Sequence, residues 1–402
     1  MARMFVRPLA WTGALTAALV LAACGGPAAP AASPSAPAAT NPAPSTAAAG
    51  VAAAKPSAGA SAAKPAASAS ASAGAKASVA VSGTSTVHVA FSGAGTDATF
   101  YIAQDKGYFA EQGINIDSVR LNSSDMPAQL AAGSLDVGGG SFTVSLINAI
   151  QRGLDIKLVA DKARCLPGTG ALQIVVRKDL YDSGKVRGPK DFKGLTFGIQ
   201  SVGSGNEVEL DLFLKQGGLG INDVTRKPLT YPDMPAAFNG KAVDATSAPE
   251  PTPSQLVHQG LAVSIAKCGD YNPNGEISMI LYGPKFIQQH DVAQRFMNAY
   301  LKAVRYYDDA FVKHTDPALT DEAINIIAKG TKVDPAVYKE MNANNNMWGI
   351  DADGQMNTKS FQTDQDFWVN VTKELKQPID LNQLIDPSFA QAAAQALGPY
   401  KL

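Results

Sequence analysis

Val87-His88-Val89-Ala90-Phe91-Ser92-Gly93-Ala94-Gly95-Thr96-Asp97 is a strand, a loop and a helix start in eleven residues. Val87–Phe91 alternates as a strand does, and Ser92–Gly95 is rich in small turn residues. Thr96 or Asp97 then caps a helix over Ala98–Lys106, which stops at Gly107. Outward from this unit the same alternation continues. A strand over Ile114–Leu121 is followed by a Ser124-capped helix ending near Gly133. A short strand, Leu135–Val137, runs into Gly138-Gly139-Gly140-Ser141, and a helix from Phe142 ends at Gly153. Ile156–Ala160 and Leu172–Val176 are further strands, assigned to the same sheet. Strands alternating with helices of this length predict an α/β fold with largely parallel sheets.

The pattern then restarts. Leu195–Gln200 is a strand, Ser201-Val202-Gly203-Ser204-Gly205 a loop, and Asn206–Gln216 a helix. Val224–Thr230 and Val243–Ser247 are strands, the second leading into Ala248-Pro249-Glu250-Pro251. Asp125-Met126-Pro127-Ala128 recurs as Asp233-Met234-Pro235-Ala236, and each copy is followed eleven residues after its first Asp by another, Asp136 and Asp244. This repeat predicts two related βα lobes. Ile277–Leu281 reads as the chain returning to the first sheet. Helices follow Pro284, over 292–311, 321–329, 335–342 and 361–375, as a tail wrapping the first lobe.

The chain has 402 residues, a length that suits two lobes. Residues 1–80 contain no acid and five cations, which leaves 29 of the 34 cations against all 35 anions in the remainder. An acidic globular part argues against nucleic acid or anionic lipid as the main partner, because phosphate binding needs a basic face. Three cysteines and four histidines make neither a disulfide scaffold nor a metal cluster, and no metal or cofactor is expected.

Arg3 and Arg7 precede an apolar run, Leu9–Ala23, too short for a transmembrane span and right for a signal-peptide core. It ends in Leu21-Ala22-Ala23-Cys24, which resembles the bacterial lipobox; the resemblance implies cleavage after residue 23 and lipidation of Cys24. Of residues 25–80, 48 of 56 are Ala, Ser, Pro or Gly, without a Leu, Ile, Met or aromatic residue. Such a segment buries too little to offset its ordering entropy, so 24–84 reads as a disordered linker.

Tyr101-Ile102-Ala103-Gln104-Asp105-Lys106-Gly107-Tyr108-Phe109-Ala110-Glu111-Gln112-Gly113-Ile114 resembles a segment of the substrate-binding proteins of ABC importers. The nearest branch is the nitrate, sulfonate/taurine and thiamine-precursor binding proteins. Leu130-x-x-Gly133-x-Leu135-Asp136, Asp191-Phe192-Lys193-Gly194-Leu195, Gly203-Ser204, and Val243-Asp244-Ala245 before Glu250-Pro251 continue the series in order. The resemblance implies a type II periplasmic-binding-protein fold: two lobes, two crossovers, a ligand in the cleft and docking to a membrane permease. The expected layout is lobe 1 over 85–190, lobe 2 over 191–268, and lobe 1 resumed over 269–402. The long stalk departs from the pattern, and Leu166–Ala171 carries no ligand signature.

Open α/β sheets bind ligands at the carboxyl ends of their strands. The candidates are therefore Ser92, Gly93, Thr96 and Asp97, then Gly140, Ser141 and Phe142, in the first lobe. In the second they are Ser201, Gly203, Ser204, Gly205 and Asn206, with Glu250. The Gly138–Ser141 run lacks the lysine of a nucleotide-binding loop; it is either a helix-start anion site or a plain tight turn. Arg164 is the candidate counter-charge, and Phe142 either stacks on a flat ligand or packs under its helix. Asp97 and Glu250 would repel a facing anion, so they cap helices, bridge the lobes or meet a cationic part of the ligand.

With Cys24 lipidated, Cys165 and Cys268 remain in a compartment that is oxidising in many bacteria, and they are expected to form a disulfide near the crossovers. No His pair has metal-ligand spacing and no nucleophile elbow appears, so no enzyme is expected. The reading is a lipid-anchored extracytoplasmic receptor, monomeric, that captures a small polar or anionic organic solute for an ABC permease. The alternatives are a pyrimidine-synthase-like enzyme on the same fold, or a sensor-associated receptor without transport.

Overall fold

The computed structural model describes residues 83–401; Cys24, the apolar leader and nearly all of the stalk fall outside them. Four strands open the first sheet: β1 (Ser85–Phe91), β2 (Ile114–Arg120), β3 (Val137–Gly140) and β4 (Lys157–Arg164). The chain then leaves for a second sheet made of β5 (Leu172–Arg177), β6 (Thr196–Ile199), β7 (Thr225–Pro228), β8 (Ala245–Pro249) and β9 (Ala262–Lys267). It returns as β10 (Glu276–Tyr282). The orders are β2-β1-β3-β10-β4 and β7-β6-β8-β5-β9, so each sheet has one strand from across a crossover running antiparallel in the fourth place.

This topology corrects two expectations. Leu172–Val176 belongs to the second sheet, so the first crossover lies between Arg164 and Leu172 and not near residue 190. A run buried on both faces carries no mark of which sheet it joins. Ala262–Lys267, an edge strand with partly exposed residues, is a strand that the sequence did not disclose. The lobe-2 strands therefore occupy 172–267.

The internal repeat has a structural counterpart. Asp136 and Asp244 both pin the strand beside them: Asp136 Oδ2 accepts from His88 N and Asp244 Oδ2 from Thr196 N, each at 2.9 Å. The two Asp-Met-Pro-Ala copies start helices Met126–Ala132 and Met234–Asn239, with Pro in the first turn. Each helix lays its Met over strand glycines. A Cβ on Gly140 would meet Met126 Sδ at 3.0 Å, and one on Gly198 would meet Met234 Sδ at 2.8 Å.

The tail does more than cover the first lobe. Helix His290–Phe311 buries Phe296, Tyr300, Val304, Tyr307 and Phe311 at helical spacing against the first sheet. Helix Pro335–Ala343, however, packs on Thr252–His258, and Thr358–Asn370 packs on Gly205–Lys215, both in the second lobe. The second of these puts Phe361 and Trp368 against Phe142, at ring separations of 5.0 and 5.4 Å. Fully burying an aromatic side chain of this size stabilises by about 1.5–3 kcal/mol, so the tail fastens the lobes together.

Cys165 follows β4 and Cys268 follows β9, and they are joined in a disulfide with Cα atoms 6.0 Å apart. The bridge ties the two crossover segments to each other, and Leu172 N donates to Cys268 Sγ at 3.3 Å. Closing a loop of 103 residues restricts the unfolded chain, so reduction should lower stability by about 2–5 kcal/mol. Urea unfolding with and without reductant checks this; equal midpoints with both thiols demonstrably free would contradict it.

Candidate functional site

The site begins at the end of β1. Ser92 and Gly93 turn the chain, with Gly93 at φ +81°, and Gly95–Asp97 forms a single tight turn before helix Ala98–Asp105. Asp97 does not cap that helix with its side chain. One carboxylate oxygen accepts from Gly93 N at 2.8 Å, and the other lies 2.7 Å from Lys162 Nζ. Lys162 also donates to Thr96 Oγ1 at 3.0 Å and to Ser278 Oγ at 3.2 Å. Its ammonium is wholly buried, and burial pulls its pKa down while Asp97 opposes that shift. Thr96 and Asp97 are therefore held from within the first lobe by a lysine that sequence reasoning did not single out.

The glycine run is also different from its expectation. Val137–Gly140 is a strand, not a loop, and its glycines make room for neighbours. A Cβ on Gly139 would sit 2.7 Å from Phe100 and 2.9 Å from Lys162, so Gly140 and its neighbours shape a core and offer no anion loop. Helix Val144–Gln151 starts later than expected, capped by Thr143, whose Oγ1 accepts from Leu146 N at 3.2 Å. Ser141 N donates to Ser123 Oγ at 3.1 Å, and Phe142 is a core residue. Arg164 lies away from the cleft. It pairs with Asp161 at 2.7 Å, reaches Glu276 and Asp351 at 3.8 and 3.9 Å, and lines a separate groove with Asn274 and Asn357.

The second-lobe loop faces the first lobe directly. Val144 N donates to Gly203 O at 2.9 Å and Gly205 N to Phe142 O at 3.1 Å, with Thr143 and Ser204 forming an isolated bridge. Ser201 Oγ lies 3.4 Å from Ser124 Oγ. Gln200 Nε2 donates to Ser92 O at 3.1 Å, and Gly95 N donates to Glu250 O at 2.8 Å. Asn206 Nδ2 donates to the Tyr231 hydroxyl at 3.0 Å. The Glu250 carboxylate turns inward, accepting from Ser254 N and Oγ at 3.0 and 2.7 Å and from Gln173 Nε2. Burial pushes its pKa up to about 7, against those donors. Half of the anticipated residues, Ser92, Phe142, Ser201, Gly203, Ser204, Gly205 and Glu250, thus hold the lobes to each other and leave little space between them.

The open space lies beside these contacts. A cavity of about 250 Å³ is walled by Gly93 and Arg120 of the first lobe, by Tyr231, Pro232, Pro251, Thr252 and Gln255 of the second, and by Thr331, Lys332 and Val333 of the tail. These are the carboxyl ends of β1, β2, β7 and β8, where open sheets take ligands. Gly93 is the candidate residue that lines it. Arg120 and Tyr231 stand at ends of strands that the sequence already showed, so the strand-end rule applied to every strand would have found them. Nothing in the local sequence marks Lys332. The positive φ of Gly93 serves this wall: a Cβ there would sit 2.8 Å from Arg120 Nε. Burial raises the nearby Tyr101 hydroxyl to about 12, and the Arg120 guanidinium pulls the other way.

A two-lobed α/β fold with paired five-stranded sheets, crossed twice and wrapped by helices, is that of the type II periplasmic binding proteins. The family model described as NMT1/THI5 like matches residues 96–309, just over half of the chain, and the chain belongs to that family. No curated protein matches it. Among solved structures it is similar to the alkanesulfonate-binding protein SsuA from Xanthomonas axonopodis pv. citri bound to MOPS, at 18% identity and a TM-score of 0.57, covering 78% of this chain and 99% of that one. It is also similar to the nitrate-binding protein NrtA from Synechocystis PCC 6803, at 16% identity and a TM-score of 0.63, covering 78% and 89%. A third is the ligand-binding component of an ABC-type import system from Staphylococcus aureus with zinc bound, at 18% and 0.62, covering 77% and 99%.

Helix Gly205–Lys215, which opens at the lobe contact, carries a buried acid, Glu209, with no cation beside it among the described residues. Glu209 accepts from Asn272 Nδ2 at 2.5 Å, and burial pushes its pKa up to about 8. Asp364, on the tail helix opposite, is also raised by burial, with Glu209 adding to the shift. For Glu209 the folded pKa lies above the ordinary value near 4.3, so its stabilising contribution is complete at low pH and is lost as pH rises toward 8. Glu209→Gln should therefore raise stability at pH 8 by a few kcal/mol and change it little at pH 4. Thermal melts across that range check this; an unaltered pH profile in the variant would contradict it.

Proposed function

We propose that the chain is an extracytoplasmic solute receptor, lipid-anchored through Cys24, that closes its lobes over a small polar or anionic organic solute and delivers it to an ABC permease. The observation that carries this reading is the cavity between the lobes, with Arg120 and Lys332 in its wall and neither carboxylate, His nor Cys among its lining residues. Those lining groups bind and orient; they offer no general acid–base pair or thiol nucleophile near neutral pH. Membership in the NMT1/THI5-like family and the likeness to import-system binding components support the same reading. The long Ala/Pro/Ser stalk suits a receptor held away from a membrane surface. Among the described residues no helix is long and apolar enough to cross a membrane.

A ligand that binds the folded state alone stabilises it by about 2.7 kcal/mol at a hundredfold excess over Kd. Thermal melts with sulfonates, nitrate, aromatic acids and pyrimidines should therefore show a rise of several degrees for one class. A melting temperature that none of these moves would contradict the proposal.

A further inference from the structure

The two cations in the cavity wall come from parts of the chain more than two hundred residues apart, and both are exposed. Nearby cations are committed elsewhere: Lys162 to Asp97 and Lys329 to Asp105. The acids closest in sequence to the cavity are engaged too. Asp233 accepts from Thr230 Oγ1 at 2.5 Å, Glu250 accepts from Ser254 N and Oγ at 3.0 and 2.7 Å, and Asp334 caps its helix by accepting from Ala336 N at 2.8 Å. Among the described residues, neither Arg120 nor Lys332 has a carboxylate partner. Lys332 also adopts φ +61° where helix Pro317–Thr331 ends, a left-handed conformation that non-glycine residues seldom take.

The remaining walls are apolar or neutral. Pro232, Pro251 and Val333 offer rigid apolar surface, and Thr252 and Gln255 offer neutral hydrogen-bonding groups. The volume of about 250 Å³ holds the equivalent of roughly eight waters, which is the size of a single-ring acid and too small for a nucleotide. Two unpaired like charges on one small cavity repel each other until an anion lies between them.

We propose that Arg120 and Lys332 are the charge-selecting pair of this cavity, which takes a small organic acid with a compact apolar body, its carboxylate or sulfonate facing the two cations. This rests on the receptor reading and deepens it: the tail that carries Lys332 is part of the binding site as well as a brace. Arg120 meets the acid group as a planar fork, and Lys332 meets it as a point charge.

The test is calorimetry and thermal melting of the full chain with benzoate, benzenesulfonate and their neutral counterpart benzamide. At least one acid should bind, with benzamide inert at the same concentration. Arg120→Ala and Lys332→Ala should each weaken that acid by roughly tenfold or more, the scale of one lost charged hydrogen bond. Lys332→Arg should keep most of the affinity, and because both side chains are exposed, all three variants should melt without ligand as the parent does. Benzamide binding as well as the acids, or Lys332→Ala binding within about twofold of the parent, would overturn the proposal. If both acids fail while a neutral solute raises the melting temperature, the charge assignment falls and the receptor reading stands. If no solute of any class binds, both fall.

Discussion

One fully buried ammonium organises the first lobe. Lys162 projects from β4 to Asp97 and Thr96 in the β1 loop and to Ser278 on β10, while its methylenes pass over Gly139 of β3. Four segments of one sheet meet at that group. Breaking a buried pair of this kind costs about 3–5 kcal/mol because the partner charge is left without compensation. The consequence reaches the cavity in two steps. Asp97, held by Lys162, holds Gly93 N, and the left-handed Gly93 leaves the gap over which Arg120 lies. The charge that faces the cavity is placed by a charge that never sees solvent.

The second lobe repeats the frame without that lysine. Asp136 and Asp244 pin equivalent strands, and Met126 and Met234 fill equivalent glycine gaps. Where the first lobe has Asp97 holding Gly93 N and paired with Lys162, the second has Glu207 holding Gly203 N at 2.6 Å and paired with Arg226 of β7 at 2.5 Å. The two lobes communicate through backbone bonds at Gly95, Gly203 and Gly205 and through the disulfide between their crossovers. These contacts, the disulfide and the tail aromatics packed on Phe142 hold the two lobes to each other.

Much of the frame was legible in the sequence, and the reasons are local. Alternation and terminal glycines mark strands and helices within a few residues, and the Asp-Met-Pro-Ala repeat announces two related lobes, whereas neither Asp97 nor Ser124 caps its helix with its side chain. The Cys165–Cys268 pairing was legible once the lipobox resemblance set Cys24 aside. What failed was long-range. The buried run Leu172–Val176 fits either sheet, and the glycines of Val137–Gly140 look like a loop until Phe100 and Lys162 are seen against them. Arg164 follows a strand as a binding arginine would, yet three acids from β4, β10 and the 351 turn claim it. Lys332, far along the tail, reaches the cavity through helix packing that no local pattern encodes.

Backbone hydrogen exchange on the full chain, with and without the solute that most raises its melting temperature, tests the central claim most directly. The account predicts slowed exchange in one set spanning both lobes and the tail: residues 93–97, 120–121, 231–234, 252–255 and 331–333 together. Protection confined to one lobe, or centred on the Arg164 groove at 272–275 and 357–363, would contradict it.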